Sequence, residues 1–257
     1  MNVVKVMGGL GNQLFQYAFA KALEEQGDKV GIDISFYTDR ENFDGKFLPR
    51  EFELDRFNCE YTVTHKEYPV RITEDTYDPD ATYKDTFFWG YWQRTYYFRH
   101  SKAYKQILKD ISLKDQYITD EMKRIVAEMD SCNSVAVHVR RTDYIKMNWA
   151  TNVQYYVDAR EAIEKRVKDP KFYIFSDNIN WCHDNLPFRD GQFIHMDEDV
   201  QDFYLMQQAK HNIIANSTYS FWAAYTNKHK NIVVAPKNWI SGISWSPLDF
   251  EGGWILV

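Results

Sequence analysis

Hydrophobic residues in the second half of the chain fall into short β-branched or aromatic runs, separated by stretches of helical periodicity. The runs predict strands at residues 134–139, 171–175, 193–196, 211–215 and 231–235. Helical patterns lie near residues 152–168, 178–186, 199–209 and 219–227, and a charged helix is predicted before them, at 120–129. Alternation of strands and helices at this spacing is typical of βαβ units, so we expect a parallel sheet.

The first half begins with the same alternation and then loses it. A strand at residues 3–7 leads into a glycine-rich turn, and a helix at about residues 12–26 follows, with Gly27 as its C-terminal cap. Further elements are expected as strands at 29–34 and 87–92 and a helix at 96–108. Residues 36–86 are poorly periodic, so only loops and short elements are expected there. A boundary near 110–132 divides the chain into two domains, residues 1–120 and 121–257.

The composition is that of a folded protein and excludes some partners. A net charge of −6 and a pI near 5.7 argue against nucleic acid, because binding its backbone calls for a broad basic face. Any anion must therefore be bound locally by a few placed cations. The aromatic share of 17% is common in proteins that stack on sugar rings, and a richly aromatic core explains it at least as well.

The sequence also predicts a location. No window approaches the ~18 uninterrupted apolar residues of a membrane span, and no basic amphipathic stretch demands membrane contact. The three cysteines lack metal-ligand spacing and cannot all pair, which suggests free thiols in a reducing compartment. The N-terminus does not resemble a secretory signal, so a cytoplasmic protein is expected.

The stretch at residues 134–144 carries the strongest functional signal. An apolar β-branched run ends abruptly in His138, Arg140, Arg141 and Asp143. In open α/β sheets, ligands bind in the crevice at the carboxyl ends of the strands. Two adjacent guanidinium groups there suit an oxygen-rich anion such as a diphosphate, because their forks bind phosphate oxygens bidentately. A salt-bridged loop is the alternative, but four polar residues at one strand end favour a phosphate site.

The glycine-rich turn lies between a strand and a helix, where the backbone can approach a phosphate and the helix N-terminus offers free N–H groups. Gly9 and Gly11 supply the first two glycines of a dinucleotide fingerprint, and Asp33 lies near the position of a ribose-binding acid. An NAD(P)-dependent oxidoreductase is therefore an alternative function. The third glycine is absent, and the amides of Asn12 and Gln13 are better suited to a sugar or a phosphate oxygen.

Polar side chains follow two other predicted strands. Ser176 and Asp177 end the strand at 171–175, where capping of the next helix and a binding role are about equally supported. Ser217, Thr218 and Ser220 follow the strand at 211–215, and capping explains one serine but not the run of hydroxyls. These hydroxyls and the first N–H groups of the next helix would form a neutral cradle for phosphates or ribose.

Two Asp-x-Asp strings could indicate a divalent metal, because some sugar transferases use that pattern to hold an ion on a diphosphate. Asp78-Pro79-Asp80 lies in the irregular middle of the chain. Asp197-Glu198-Asp199 begins a predicted helix, where acids stabilise the helix dipole. We favour the capping role for the second string and expect no metal site, since the arginines already supply the needed positive charge.

Four short segments, in a fixed order and spacing, are distributed over nearly the whole length of this chain. They are Gly-Gly-Leu-Gly-Asn-Gln-Leu-Phe-Gln-Tyr-Ala-Phe at 8–19, Gly-Tyr-Trp-Gln at 90–93, His-Val-Arg-Arg-Thr-Asp-Tyr at 138–144 and Asn-Ser-Thr-Tyr-Ser-Phe-Trp-Ala at 216–223. In these segments the chain resembles the bacterial α-1,2-fucosyltransferases of glycosyltransferase family 11. The first and third segments are the specific ones.

The resemblance implies a GT-B-like α/β fold, in which two facing Rossmann-like domains hold the active site in their cleft. Residues 1–120 would be the acceptor-side domain and 121–257 the GDP-sugar-binding domain. It also implies GDP-β-L-fucose as donor, no metal, and inversion to an α-1,2 linkage on a galactose-type acceptor. The substrate-binding residues that it implies are His138, Arg140, Arg141, Asp177, Ser217 and Thr218 in the second domain and Gly9, Asn12 and Gln13 in the first.

Inversion needs one in-line displacement at the anomeric carbon of fucose, and negative charge develops on the β-phosphate as GDP leaves. We expect Arg140, with the helix N-terminus near residues 217–220, to stabilise that charge. Asp143 is the nearest carboxylate in the motif and is the candidate base for the acceptor hydroxyl. It could equally pair with Arg141 and position that side chain.

The expected acceptor is a galactose-containing glycan of surface polysaccharide synthesis. On a lipid carrier, such a glycan would bring the enzyme to the inner face of the cytoplasmic membrane, with at most peripheral contact. A non-catalytic protein that only binds a nucleotide sugar is a third alternative, beside the fucosyltransferase and the NAD(P) enzyme.

Overall fold

The chain forms two α/β units, Met1–Lys114 and Asp115–Val257. The structure, a computed structural model, describes residues 1–38, 50–66, 68–229, 232–239 and 253–257. Each unit is built on a parallel sheet, so the α/β class predicted from the alternation of strands and helices is confirmed. All three cysteines are unpaired, as predicted.

The first unit has the following strands within its described residues: β1 (Asn2–Lys5), β2 (Val30–Asp33), β3 (Val70–Thr73) and β4 (Thr86–Trp89). They lie in the order β2-β1-β4-β3. Its helices are α1 (Leu10–Leu23), α2 (Ser35–Thr38) and α3 (Tyr104–Asp110). Strand β3, with four residues, falls in the region 36–86, where only loops and short elements are expected from the sequence.

Helix α1 follows the sequence prediction closely. It continues as a 3-10 turn to Gln26, and Gly27 closes it with a left-handed φ of +95°. Helix α3 does not follow the prediction: only Thr95–Tyr97 form a 3-10 turn, and the helix begins at Tyr104. The Glu25 carboxylate accepts the backbone N–H of Ala103 at 2.8 Å, so a residue far away in sequence fixes where this helix begins.

The core of the first unit is aromatic. Trp92 is fully buried and stacks on Phe19 of α1, with 3.9 Å between ring centroids and 9° between planes. Trp92 has a φ of +55°, in the left-handed region, so the predicted strand at 87–92 ends at Trp89 instead. The packed core of this unit therefore explains part of the high aromatic content of the sequence.

The second unit contains the following strands within its described residues: β5 (Asn133–Val139), β6 (Pro170–Ser176), β7 (Gln192–Ile194), β8 (His211–Ile213), β9 (Val233–Ala235) and β10 (Ile255–Leu256). Their order is β10-β9-β8-β5-β6-β7. The helices are α4 (Asp120–Asp130), α5 (Thr142–Lys146), α6 (Val153–Glu164), α7 (Ile179–Asn185), α8 (Asp199–Gln208) and α9 (Thr218–Tyr225). The predicted strands and helices are confirmed to within a few residues; residue 231 of one predicted strand lies outside the described part.

The central strand β5 is buried on both faces, which explains its continuous apolar run. On one face, Val135 and Val137 belong to a core cluster with Tyr156 and Ile163 of α6. On the other face, Tyr173 of β6 donates its hydroxyl to Glu128 of α4, at 3.1 Å. Among the described residues, no helix combines the length and apolar character that spanning a bilayer requires.

Candidate functional site

The carboxyl ends of β5 and β8 form the switch point of the second unit. From β5 the chain continues to β6 and β7 on one side, while β8, β9 and β10 lie on the other side. His138, Arg140 and Arg141 stand at the end of β5, and Asn216 and Ser217 follow β8. In open parallel sheets, ligands bind at such a point. The fold therefore brings two separated sequence motifs together at one edge.

Arg140 is held by two carboxylates. Its Nε and Nη2 each lie 2.9 Å from Asp143 Oδ1, and its Nη1 lies 3.3 Å from Asp177 Oδ2. These side chains are 14–18% exposed, so the group is largely desolvated but still reachable. The structure thus pairs Asp143 with Arg140, whereas the sequence interpretation had offered Arg141 as its partner. A guanidinium fixed in this way is preorganised to receive an anion.

Asp177 joins the ends of β5 and β6. In addition to the Arg140 ion pair, its carboxylate accepts hydrogen bonds from the backbone N–H groups of Arg141 and Thr142, at 2.8 and 3.1 Å. It also accepts the Thr142 hydroxyl at 2.6 Å. These bonds satisfy donors at the beginning of α5. Asp177 therefore supports the loop that carries the arginines, and the substrate-binding role that the resemblance implies for it stays a prediction.

Helix α7 is capped by Asn178, and not by either of the two residues considered from the sequence. Asn178 Oδ1 accepts the N–H of Trp181 at 3.2 Å, while Ser176 Oγ accepts the N–H of Asn178 at 3.0 Å. Asp177 does not cap this helix because its carboxylate is bonded to the neighbouring loop.

Arg141 has different surroundings from Arg140. Its guanidinium carbon lies 3.4 Å from the ring centroid of Trp181, a cation–π contact that the sequence analysis missed. Its Nε is buried and has no hydrogen-bond partner within the described residues. Because an unsatisfied buried donor is costly, a ligand oxygen at this atom would stabilise the site.

His138 is buried at the end of β5. Its ring centroid lies 5.3 Å from that of Tyr219, and its Nδ1 has no partner among the described residues. Burial lowers the pKa of His138 to about 3. The negative charge of Asp177 raises this pKa, and the positive charge of Arg140 lowers it further. The imidazole is therefore neutral near pH 7. A neutral ring can exchange hydrogen bonds with a ribose hydroxyl but brings no positive charge to a phosphate.

The hydroxyls after β8 divide into two kinds. The Ser220 hydroxyl is buried and donates to the carbonyls of Ala215 and Ser217, at 3.4 and 3.3 Å, so it stabilises the turn. The predicted substrate-binding role of Ser220 is therefore not supported by its geometry. Ser217 occupies the N-cap of α9 without a capping bond from its side chain, and Thr218 begins the helix. Ser217 and the first N–H groups of α9 stay candidates for the cradle that the hydroxyl run predicts.

Asn216 connects this turn to two other loops. Its Nδ2 donates to the carbonyls of Trp149 and Trp239, at 2.8 and 2.7 Å, and its Oδ1 accepts the Thr151 hydroxyl at 2.9 Å. The segments that follow α5 and β9 are thereby fixed to the end of β8. Asn216 belongs to the segment 216–223, one of the four that carry the family resemblance, and its role in the structure is to position these loops.

In the first unit, Gln13 belongs to the fold and not to an open site. It is fully buried; its Nε2 donates to the carbonyls of Gly8 and Glu51, at 3.2 and 2.8 Å, and its Oε1 accepts the N–H of Glu53 at 2.8 Å. The amide is therefore used to fix the turn to the segment at 51–53. The geometry does not support the predicted substrate-binding role of Gln13.

Gly9 and Asn12 lie on the accessible side of the same turn. Asn12 Oδ1 accepts Gln93 Nε2 at 2.7 Å. A Cβ atom on Gly9 would come no closer than 3.8 Å to the Arg50 side chain, so the fold leaves space there. Gly8 differs: its φ is +83°, and a Cβ atom would lie 2.6 Å from Asn12 Nδ2. The fold thus requires glycine at position 8 but not at position 9.

This difference predicts opposite outcomes for two neighbouring alanine variants. Gly8→Ala should lower the free energy of unfolding by about 2 kcal/mol or more, because alanine resists left-handed backbone and meets Asn12. Gly9→Ala should lower it by less than about 1 kcal/mol, the usual cost of alanine at an N-cap. Urea denaturation measures both values, and equal losses would contradict the assignment.

The NAD(P) interpretation depends on Asp33, and the structure gives that residue another role. Its Oδ2 lies 3.3 Å from Lys5 Nζ, and its Oδ1 accepts the N–H of Ser35 at 2.7 Å. Asp33 is only 8% exposed. Because both carboxylate oxygens are engaged inside the unit, they are not placed to bind a ribose, and this alternative loses its main support.

The two Asp-x-Asp strings are structural. Asp78 Oδ1 accepts the N–H of Asp80 at 2.9 Å, which forms a turn. Glu198 is the N-cap of α8, and its N–H donates to Gln201 Oε1 at 3.3 Å, so the predicted capping role is confirmed. Within the described ranges, no three His, Cys, Asp or Glu side chains gather in a way that could hold a metal ion.

Asp202 is a titratable residue that the sequence does not single out. Its position in the first turn of α8 indicates only a favourable interaction with the helix dipole. Its carboxylate accepts the N–H of Met196, beyond the end of β7, at 3.2 Å. Burial raises the pKa of Asp202 to about 7; the Met196 hydrogen bond opposes this and Asp199 adds to it. A carboxyl group with this pKa changes between its neutral and its charged form close to physiological pH.

The raised pKa of Asp202 predicts that stability falls as pH rises. Between about pH 4 and pH 7 the folded state keeps a proton that the unfolded state has lost, so the free energy of unfolding decreases across this window. Asp202→Asn should remove that decrease and be more stable than the parent at pH 8, by about 2–4 kcal/mol. Denaturation at several pH values measures this, and parallel profiles for the two proteins would refute it.

The family model described as Glycosyl transferase family 11 matches residues 1–254. Alpha-1,2-colitosyltransferase of Escherichia coli is 29% identical, over 92% of this chain and 91% of that protein. O-antigen biosynthesis glycosyltransferase WbnK of Escherichia coli is 27% identical, over 96% of this chain and 97% of that protein.

Solved structures show the same fold. Fucosyltransferase NodZ from Bradyrhizobium gives a TM-score of 0.53 at 16% identity, over 86% of this chain and 91% of the NodZ chain. NodZ α-1,6-fucosyltransferase co-crystallised with GDP gives a TM-score of 0.51 with the same identity and coverage. The expected GT-B-like α/β fold class is thereby confirmed.

Proposed function

This chain belongs to glycosyl transferase family 11, and from that membership we propose that it transfers L-fucose from GDP-β-L-fucose to the 2-hydroxyl of a galactose-type acceptor. The transfer inverts the anomeric centre and forms an α-1,2 linkage. Support comes from the α-1,2 linkage in the name of a relative that is 29% identical over 92% of the chain. The GDP of the NodZ co-crystal supports a guanine nucleotide as the carrier of the sugar.

The observation that carries this proposal is the ion-paired Arg140 at the switch point. As the bond to GDP breaks, negative charge grows on the β-phosphate, and a donor already oriented toward that oxygen stabilises the transition state. Asp143 and Asp177 hold the guanidinium in place, so no reorganisation is needed during the reaction. The Nε of Arg141 and the N-terminus of α9 beside Ser217 are further donors for the diphosphate.

Other residues of the site take smaller parts in this proposal. His138, neutral and buried, faces the ribose with its unpaired ring nitrogen. The positive charge that a divalent ion would supply to the diphosphate comes from the two arginines, so the reaction runs without metal. Thr218 lies beside Ser217 at the first turn of α9 and adds a hydroxyl to the cradle.

The base for the acceptor hydroxyl is a separate hypothesis. In the structure Asp143 orients Arg140, so its removal acts on the donor site in any case. If Asp143 is also the base, Asp143→Asn should lose the acidic limb of the pH profile of kcat as well as activity. A variant that is slower but keeps the shape of the parent profile would leave Asp143 a positioning role alone.

A colitosyl donor is the second candidate, because one of the relatives with high coverage is a colitosyltransferase. O-antigen synthesis, printed in the name of the other bacterial relative, supports a surface glycan as acceptor. We place such an enzyme in the cytoplasm, where a lipid-linked acceptor would bring it to the inner face of the membrane.

The test is calorimetric titration with GDP, GDP-fucose, UDP and NADH in the presence of EDTA, followed by transfer assays with GDP-fucose and GDP-colitose onto lactose. We expect metal-free binding of the guanine nucleotides alone and an α-1,2-linked product, identified by NMR. Binding of NADH without GDP would refute the proposal. Binding of GDP-fucose without transfer to any galactoside would favour the non-catalytic alternative.

A further inference from the structure

Tyr91 is a partly exposed aromatic side chain of the first unit, and burial and then the Glu74 carboxylate raise the pKa of its hydroxyl. It is 41% exposed, and within the described residues its ring meets no other aromatic ring and its hydroxyl makes no hydrogen bond. Tyr17, Tyr37 and Tyr83 of the same unit all donate their hydroxyls to protein oxygens. An amphipathic ring left open in a unit rich in packed aromatics offers a contact surface for a ligand.

The backbone around Tyr91 is fixed on both sides. The carbonyl of Gly90 accepts Gln16 Nε2 at 3.0 Å, and the N–H of Tyr91 itself donates to Glu74 Oε1 at 2.8 Å. Trp92, the next residue, is fully buried in the core. The ring of Tyr91 therefore projects from an ordered backbone, and a ligand that stacks on it has little conformational entropy to overcome.

Tyr91 follows β4, at the switch point of the first sheet. Strand β2 lies on one side of β1 and β4 on the other, so the carboxyl ends of β1 and β4 border a crevice. The Tyr37 hydroxyl donates to the Gly8 carbonyl at this edge, at 2.8 Å. Burial raises the pKa of Tyr37, Glu53 and Tyr91 raise it further, and Arg50 lowers it, so these three side chains lie near the Tyr37 hydroxyl.

Gln93 adds a directional polar group to the same edge. Its Nε2 donates to Asn12 at 2.7 Å, which fixes the orientation of the amide. Its carbonyl oxygen Oε1 has no partner among the described residues and is therefore available to a hydroxyl donor. An aromatic ring and a fixed hydrogen-bond acceptor at the same edge of a sheet are complementary to a pyranose, which presents C–H groups on one face and hydroxyls at its rim.

We propose that Tyr91 and Gln93 form the subsite for the acceptor sugar, with the Tyr91 ring stacked on the apolar face of a galactopyranose. Gln93 Oε1 accepts a hydrogen bond from one hydroxyl of the same ring, and Gly9 leaves the floor of the crevice open. The identity of the sugar rests on the proposed function; the placement of the subsite rests on the geometry of the first unit.

The test measures acceptor and donor separately. Tyr91→Ala should raise the KM for lactose about tenfold, the order expected for one lost aromatic contact, with an unchanged Kd for GDP-fucose. Tyr91→Phe should retain most of the parent affinity, because it keeps the ring. Tyr96→Ala is the matched control: Tyr96 is equally exposed in the same unit but packs on Tyr97. Its KM for lactose should not change.

Saturation-transfer NMR with lactose alone tests the subsite without any donor. The parent should show contact to the galactose ring, and Tyr91→Ala should lose it while keeping the parent's Tm. An unchanged signal in Tyr91→Ala, or an equal loss in Tyr96→Ala, would overturn the proposal. If the parent binds lactose through Tyr91 but no GDP-sugar, the proposed function fails and the subsite stands.

Discussion

Replacing Arg140 with alanine is expected to lower kcat by at least about 100-fold, the usual loss when one preorganised donor to a developing oxyanion is removed. Arg140 lies at the switch point of the sheet, and its orientation is fixed because Asp143 binds two of its nitrogens and Asp177 binds the third. Water that fills the space left by the Arg140 side chain cannot replace the charged and oriented N–H donors of a guanidinium group. Transfer assays with saturating GDP-fucose measure the loss.

Two further variants make this prediction specific. Arg140→Lys keeps the charge but cannot span both carboxylates, so it should remain strongly impaired. Arg160→Ala is the control, because Arg160 is also ion-paired in the second unit, with Asp190 and Glu164, but belongs to a different network. It should lose stability and retain kcat. Near-parental turnover of Arg140→Ala, or an equal loss in Arg160→Ala, would disprove the phosphate assignment.

Replacing Asp177 with alanine is expected to have the second largest effect, and it should affect stability and turnover together. The change removes an ion pair to Arg140 and hydrogen bonds from two backbone N–H groups and the Thr142 hydroxyl. Removing one partner of a largely buried pair leaves uncompensated groups, so the free energy of unfolding should fall by about 3 kcal/mol. Turnover should fall about tenfold or more, because the loop that carries both arginines loses its anchor.

Asp143→Ala is the matched comparison for Asp177→Ala. Both remove a carboxylate from Arg140, but only Asp177 also binds the backbone at the beginning of α5. Asp177→Ala should therefore be the less stable variant, and a double-mutant cycle with Arg140→Ala should show coupling at both positions. Equal stability of the two variants would mean that the bonds to the backbone contribute nothing measurable.

The sequence predicted the elements whose signals are local. Buried strands such as β5 read as continuous apolar runs, and α1 has its periodicity and its capping glycine within one segment. The rule that ligands meet the carboxyl ends of parallel strands makes Arg140 a candidate from the sequence, and the structure places it at such an end. Helix α3 was misplaced because its first turn depends on Glu25, which lies in another element.

Within the motifs, the sequence by itself determined which residues stand at the strand ends, and the tertiary structure decided which of them are open to a ligand. Gln13 and Ser220 occur in recognisable segments, yet their polar groups are bonded to the fold itself. Asp177 supports a loop from another strand, and the Tyr91 side chain stays partly exposed. The physical reason is that a buried polar group must find a partner, and that partner is supplied by whichever segment folds against it.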